Sequence, residues 1–164
     1  MMVGVSGSGK TTISKTILKD ENAIRISSDD IRLDLINKGT LDKDTAFTPE
    51  GNAIVFQIMR NRAKELVQRG KDILLDAQHI KVTNRKPVFD ILGEFDCYYI
   101  AHVVIIDKDE CERRHKQRDL VNPFYPFPVP QRKTMDDRFA MFEMPTEQEG
   151  FDEIRLHFNS DVKK

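Results

Sequence analysis

A chain of 164 residues, 39% hydrophobic and 32% charged, can bury a core of its own, and its composition excludes a disordered or fibrous polymer. A formal net charge of -1 excludes a global basic field, so any nucleic-acid contact must come from a local patch. No apolar run is long enough to span a membrane.

The apolar start Met1–Val5 runs directly into glycines and is not read as a signal peptide, so no targeting segment is expected and the cytoplasm is the expected compartment. Met1–Val5 reads instead as a short buried strand, followed by a helix over Lys10–Lys19 with apolar Ile13, Ile17 and Leu18. Ala23–Ile26 is a second strand entering the capping cluster Ser27-Ser28-Asp29-Asp30, with a helix continuing through Ile31–Ile36. After a polar, irregular stretch, Glu50–Arg69 carries the longest helical pattern and Gly70 stops it. Asp72–Ala77 is a buried strand, Asn84–Leu92 a helix capped by Thr83, and Tyr98–Ile106 a central strand. Lys108–Arg118 is a charged helix, Val121–Pro130 a proline-rich loop, Gln131–Phe142 helical, and Phe151–Phe158 a last strand. Cys97 and Cys111 lack the spacing of a zinc site and read as two free thiols in a reducing cytosol. Strand–helix alternation of this kind predicts an α/β fold with a parallel sheet of about five strands and helices on both faces, one domain over 1–164, with residues 108–142 as a helical lid.

Gly4-Val5-Ser6-Gly7-Ser8-Gly9-Lys10-Thr11 meets the P-loop pattern in full, between an apolar strand and a helix, as its chemistry requires. Glycines let backbone N–H groups turn inward around phosphates, and the following helix directs its N-terminal dipole at the same anion. Ser6, Gly7, Ser8, Gly9, Lys10, Thr11 and Thr12 are the expected triphosphate contacts; Lys10 reaches the β- and γ-phosphates and Thr11 ligates Mg²⁺.

Asp29, at the end of the second strand, is placed to take a proton from an attacking hydroxyl, facing the phosphates from the next strand. Arg32, three residues on along the same helical face, is placed to grip an acceptor phosphate. The same residue types also serve as a plain helix cap and a solvated arginine. Asp76, ending the third strand, is positioned to order Mg²⁺ or its waters, or merely to start a turn. Arg114 and Arg118, four apart, share a helical face from which they would neutralise a transferring phosphoryl group, unless this is only a charged surface. The loop 122–130 offers either base stacking or ordinary packing. His102, inside an apolar strand, reads as a core residue.

Gly7-Ser8-Gly9-Lys10-Thr11-Thr12 together with Asp29-Asp30-Ile31-Arg32 resembles the P-loop polynucleotide 5′-hydroxyl kinase family. That resemblance implies a P-loop NTPase fold of small-kinase type, using ATP or GTP with Mg²⁺, in a bacterial or phage-infected cell. It implies that Asp29 is the general base, that Arg32 contacts the 3′-phosphate of the acceptor nucleotide, and that Asp76 lies near the reaction. It also implies that Arg114 and Arg118 form an R-x-x-x-R lid, Arg118 standing at the essential position and Arg113 as the alternative register. The expected partners are a nucleoside triphosphate and a 5′-hydroxyl DNA or RNA end. Gln78 departs from the Asn or His common there. Similar motifs occur in small-molecule and zeta-toxin-like kinases, and the P-loop alone would suit a non-catalytic nucleotide-binding module.

Overall fold

A computed structural model describes residues 1–121 and 134–159, without the side chains of 115 and 118–121. Among the described residues there are five strands: β1 (Met2–Val3), β2 (Ile24–Ser27), β3 (Ile73–Asp76), β4 (Ile100–Ile105) and β5 (Glu153–Phe158). The helices are α1 (Lys10–Asp20), α2 (Ser28–Asn37), α3 (Pro49–Gln68), α4 (Val82–Leu92), α5 (Lys108–Val121) and α6 (Met135–Ala140). All strand pairings are parallel, as the alternating pattern requires, but they form two ladders, β1-β4-β5 and β2-β3.

The two ladders meet where β1 runs beside β3. No regular ladder joins them among the described residues, and two bonds close the seam instead. Gly4 N–H donates to Gln78 O at 3.0 Å, and His79 Nδ1 lies 3.1 Å from Met2 O. The resulting order is β2-β3-β1-β4-β5, so β3 stands between Asp29 and the P-loop strand. Asp29, at the end of the next strand in sequence, is thus one strand removed from the glycine-loop strand, with the end of β3 between them.

Alternation along the strands places helices on both faces. Met2, Leu74 and Val104 pack against Ile13, Ile17 and Leu18 of α1. The opposite face buries Ile26 and Leu75 against Ile31 and Leu35 of α2, Val55, Met59 and Ala63 of α3, and Val88 and Leu92 of α4. Beyond the strand ends, Val5, Ile80 and Ile106 gather Cys111 of α5 and Phe139 of α6 into a further cluster.

Most helix starts follow their capping residues. Ser27 Oγ accepts from Asp30 N–H, Thr48 Oγ1 from Gly51 N–H, and Thr134 forms a capping box with Asp137. Two expectations are corrected. Helix α4 begins at Val82, ahead of Thr83, because the Glu143 carboxylate arrives from a distant segment to accept from Val82 N–H at 2.6 Å. Helix α6 spans Met135–Ala140, with its capping box at Thr134 and Phe142 leaving to join the apolar cluster; residues 131–133 of the expected helix lie outside the described residues. The loop 122–130 lies outside the described residues.

His79 has a left-handed backbone, φ 42°, and is almost completely buried. A carbonyl only accepts, so Nδ1 carries the hydrogen towards Met2 O. Burial holds the imidazole neutral and lowers its pKa to about 3. The unfolded chain protonates this ring below about pH 6.5, whereas the folded chain resists until about pH 3. The stability due to neutral His79 is therefore complete above about pH 6.5 and is lost as pH falls towards 3. His79→Asn retains a donor and tolerates the left-handed backbone. Denaturant unfolding between about pH 7 and about pH 4 should show a shallower acid slope in this variant. An unchanged slope would mean that the ring is not held neutral. His102, likewise buried and lowered to about 3, remains a source of the residual slope.

Candidate functional site

The carboxyl ends of the parallel strands carry the glycine loop, Asp29, Asp76 and the start of the helix that holds Arg114. After β1 the chain turns through the glycine loop into α1. Gly7 (φ 88°) and Gly9 (φ 94°) take left-handed conformations that a side chain disfavours. Lys10 and Thr11 open α1, with Thr11 and Thr12 exposed and Ser6 and Gly7 half-buried. Ser8 is fully buried. Lys10 Nζ donates to Val5 O at 2.8 Å across the loop.

Asp29 stands in the first turn of α2 with a side chain that is 70% exposed. The cap is supplied by Ser27, and Asp30 is taken by Arg25 Nη1 at 2.7 Å, so capping accounts for neither carboxylate. Asp29 Oδ1 instead accepts from Arg32 Nη1 at 3.2 Å. Arg32 is 7% exposed and held on several sides. Its Nε donates to Ala46 O at 3.0 Å, its Nη2 to Asn52 Oδ1 at 2.6 Å, and its guanidinium lies over the Phe47 ring at 4.6 Å. Arg32, read either as solvated or as reaching for an acceptor phosphate, is buried, and its fork is bonded to Asp29, Ala46 and Asn52.

Asp76 is buried on the α1 face of β3. Its Oδ2 accepts from Ser14 Oγ of α1 at 3.1 Å and from Arg25 Nε of β2 at 2.8 Å. Three elements are therefore tied together at this carboxylate, and Arg25 links it onward to Asp30. Such a hard oxygen donor suits magnesium or its waters, with the neighbouring Arg25 charge favouring the water-mediated role. Among the described residues no group of three or more His, Cys, Asp or Glu side chains forms a metal-binding cluster. A triphosphate with one magnesium fits the residues present, since the left-handed glycines, the open helix terminus and the Thr11 hydroxyl supply the required donor set.

Helix α5 rests on the glycine loop. Cys111 is fully buried with Sγ 3.2 Å from Ser6 O, a role that a reading as a bland free thiol did not contain. One turn on, Arg114 lies beside Gly9, its Nε bonded to Glu110 at 2.6 Å. Arg113 turns to Glu110 through two bonds and is half-exposed. Hydrogen bonds from Arg113 and Arg114 hold the Glu110 carboxyl down to about 2. Lys108 pairs with Asp136 and so joins α5 to α6. Arg118 falls within α5, but its side chain lies outside what is described.

Arg25, Asn52, Arg85 and Asn159 were not foreseen. Each acts through a partner from 20 to 151 positions away in the sequence, and no local spacing announces such pairs.

The profile of a family described as an AAA domain matches residues 1–142. No curated protein sequence matches the chain. Among solved structures, a proposed kinase of Chloroflexus aurantiacus J-10-fl aligns with TM-score 0.78 at 12% identity, over 98% of this chain and 86% of that one. The Mycobacterium tuberculosis APS kinase CysC, in complex with AMPPNP and APS, aligns with TM-score 0.64 at 17% identity, over 99% and 87%. A chain of the Pnkp1/Rnl/Hen1 complex aligns with TM-score 0.58 at 19% identity, over 77% of this chain and 42% of that one. These likenesses establish a P-loop kinase fold with a parallel sheet.

Proposed function

We propose that this chain, which belongs to the AAA domain family, transfers the γ-phosphoryl group of ATP to a hydroxyl acceptor, and that the acceptor is the 5′-hydroxyl end of DNA or RNA. The observation that carries the transfer reading is Asp29. It is an exposed carboxylate released from capping by Ser27, oriented by a buried arginine, and set across β3 from the glycine loop. A protein that only binds nucleotide has no use for a fixed carboxylate there.

In this reading the loop amides, Lys10 and Thr12 hold the triphosphate and Thr11 holds magnesium, with Asp76 ordering its waters. Bound magnesium neutralises charge on the phosphate oxygens. Asp29 accepts the proton of the attacking hydroxyl, and Arg32 keeps its carboxylate in place. Arg114, already beside Gly9, and Arg118 of the same helix supply positive charge to the transferring group. Support for a polynucleotide end comes from the resemblance of residues 4–12, 29–32 and 114–118 to polynucleotide kinases. A small-molecule acceptor is the second reading. It is favoured by the way Arg32 is engaged by Ala46 O, Asn52 and Asp29, an arrangement that orients a base more than it displays a phosphate grip.

Incubation with γ-labelled ATP, a 5′-hydroxyl oligonucleotide and, separately, a panel of sugars and nucleosides separates the two. Label at the oligonucleotide 5′ end is the expected result. Label on small alcohols with none on DNA or RNA would overturn the acceptor assignment while retaining the kinase.

A further inference from the structure

Asn159 follows β5 and belongs to none of the motifs above. Its N–H continues the β4–β5 ladder by donating to Ile105 O at 2.8 Å. Its side-chain Nδ2 donates to Ser8 O at 2.7 Å, and its own carbonyl accepts from Arg114 Nη2 at 3.3 Å. It therefore touches the glycine loop with its side chain and the charged helix with its backbone.

The direction of the first bond matters for phosphate binding. The Ser8–Gly9 peptide is planar and trans, so its C=O and N–H point in opposite directions. Drawing Ser8 O towards Asn159 turns Gly9 N–H to the other side of the loop. The same pattern holds around the loop: Val5 O accepts from Lys10 Nζ at 2.8 Å, and Ser6 O lies 3.2 Å from Cys111 Sγ. Carbonyls that would repel an anion are thus turned onto protein donors, and a concave run of N–H groups is a site for phosphate oxygens. The fit at Gly9 is close enough that a Cβ there would overlap the Asn159 amide, at a φ of 94° that already favours glycine.

We propose that Asn159 is a positioning residue of the nucleotide site, orienting the Ser8–Gly9 peptide so that Gly9 N–H faces the phosphates and seating Arg114 beside it. This rests on the reading of the glycine loop as a nucleotide site. It does not depend on which acceptor is used.

The test is calorimetric titration of ATP into the parent chain, Asn159→Ala and Asn159→Asp, with thermal melting of each protein without nucleotide. Asn159→Ala should weaken ATP binding about tenfold, the size of one lost orienting hydrogen bond. Asn159→Asp, isosteric but presenting an acceptor to Ser8 O, should weaken it further. Both should melt close to the parent, which a merely structural role would not allow. Parental affinity in Asn159→Ala, or a lowered melting temperature with affinity retained, would overturn the proposal and leave the nucleotide site standing. Failure of the parent chain to bind ATP would overturn both.

Discussion

Asp29→Asn should lower the rate of phosphoryl transfer by about 10²- to 10⁴-fold, the usual contribution of a positioned general base, with little change in ATP affinity. The substitution is isosteric, and the amide oxygen can still accept from Arg32 Nη1. What it removes is the capacity to take a proton. Helix α2 keeps its cap, because that bond comes from Ser27 Oγ. Losing one negative charge near the helix N-terminus costs only about 0.3–1 kcal/mol, so the variant should fold and melt nearly as the parent does. Rates from label transfer, affinities from titration and melting curves together separate a chemical defect from a folding one. Retention of most of the parental rate would remove Asp29 from the reaction. The third possibility, a module that binds nucleotide without transfer, would show instead as ATP binding in the parent with no acceptor labelled at all.

The largest effect on stability is expected at Arg85 of α4. Its side chain is completely buried and makes two bonds to the Glu149 carboxylate, at 2.7 and 2.9 Å. Its Nη1 donates to His79 O at 2.9 Å and to Glu143 O at 3.0 Å. One guanidinium thus ties the turn after β3 to the segment that follows α6, where Glu143 also caps α4. Arg85→Ala takes the guanidinium from Glu149, which keeps only Thr146 N–H, and from the carbonyls of His79 and Glu143, and breaking a buried pair of this kind costs about 3–5 kcal/mol. In a chain of this size that corresponds to a melting temperature lower by roughly 10 °C. Removing both charges, as in Arg85→Met with Glu149→Met, should cost less than the sum of the single changes, since no lone buried charge remains. Additive losses would show that the pair does not form. Because the same network places Gln78 and His79 beside β1, Arg85→Ala should also weaken nucleotide binding through the loss of order at that seam.

The parallel fold and the glycine loop were legible because their signals are local. A strand, a tight glycine turn and a helix N-terminus lie within a dozen neighbouring residues, and the chemistry of the loop demands that order. Asp29 was legible for the same reason, as the acid at the junction of β2 and α2. Its neighbourhood was not. Spacing placed Arg32 on the face of Asp29, but Ala46, Phe47 and Asn52 reach it only because α3 packs on α2. Arg113 and Arg114 are indistinguishable as neighbouring charges. Packing of α5 against Ser6 and Asn159 sends the second to the glycine loop and leaves the first with Glu110.

Patterns repeating every two or four residues, and turns that need glycine, depend on the backbone within a few residues, so composition and spacing suffice to read them. Which strand lies between Asp29 and the loop, which arginine touches Gly9, and which carboxylate caps α4 depend on contacts closed across 45 to 151 positions. Asn159 is the extreme case. It is a single amide after the last strand, invisible to any motif, and it meets the first loop of the chain only because β5 joins the sheet beside β4.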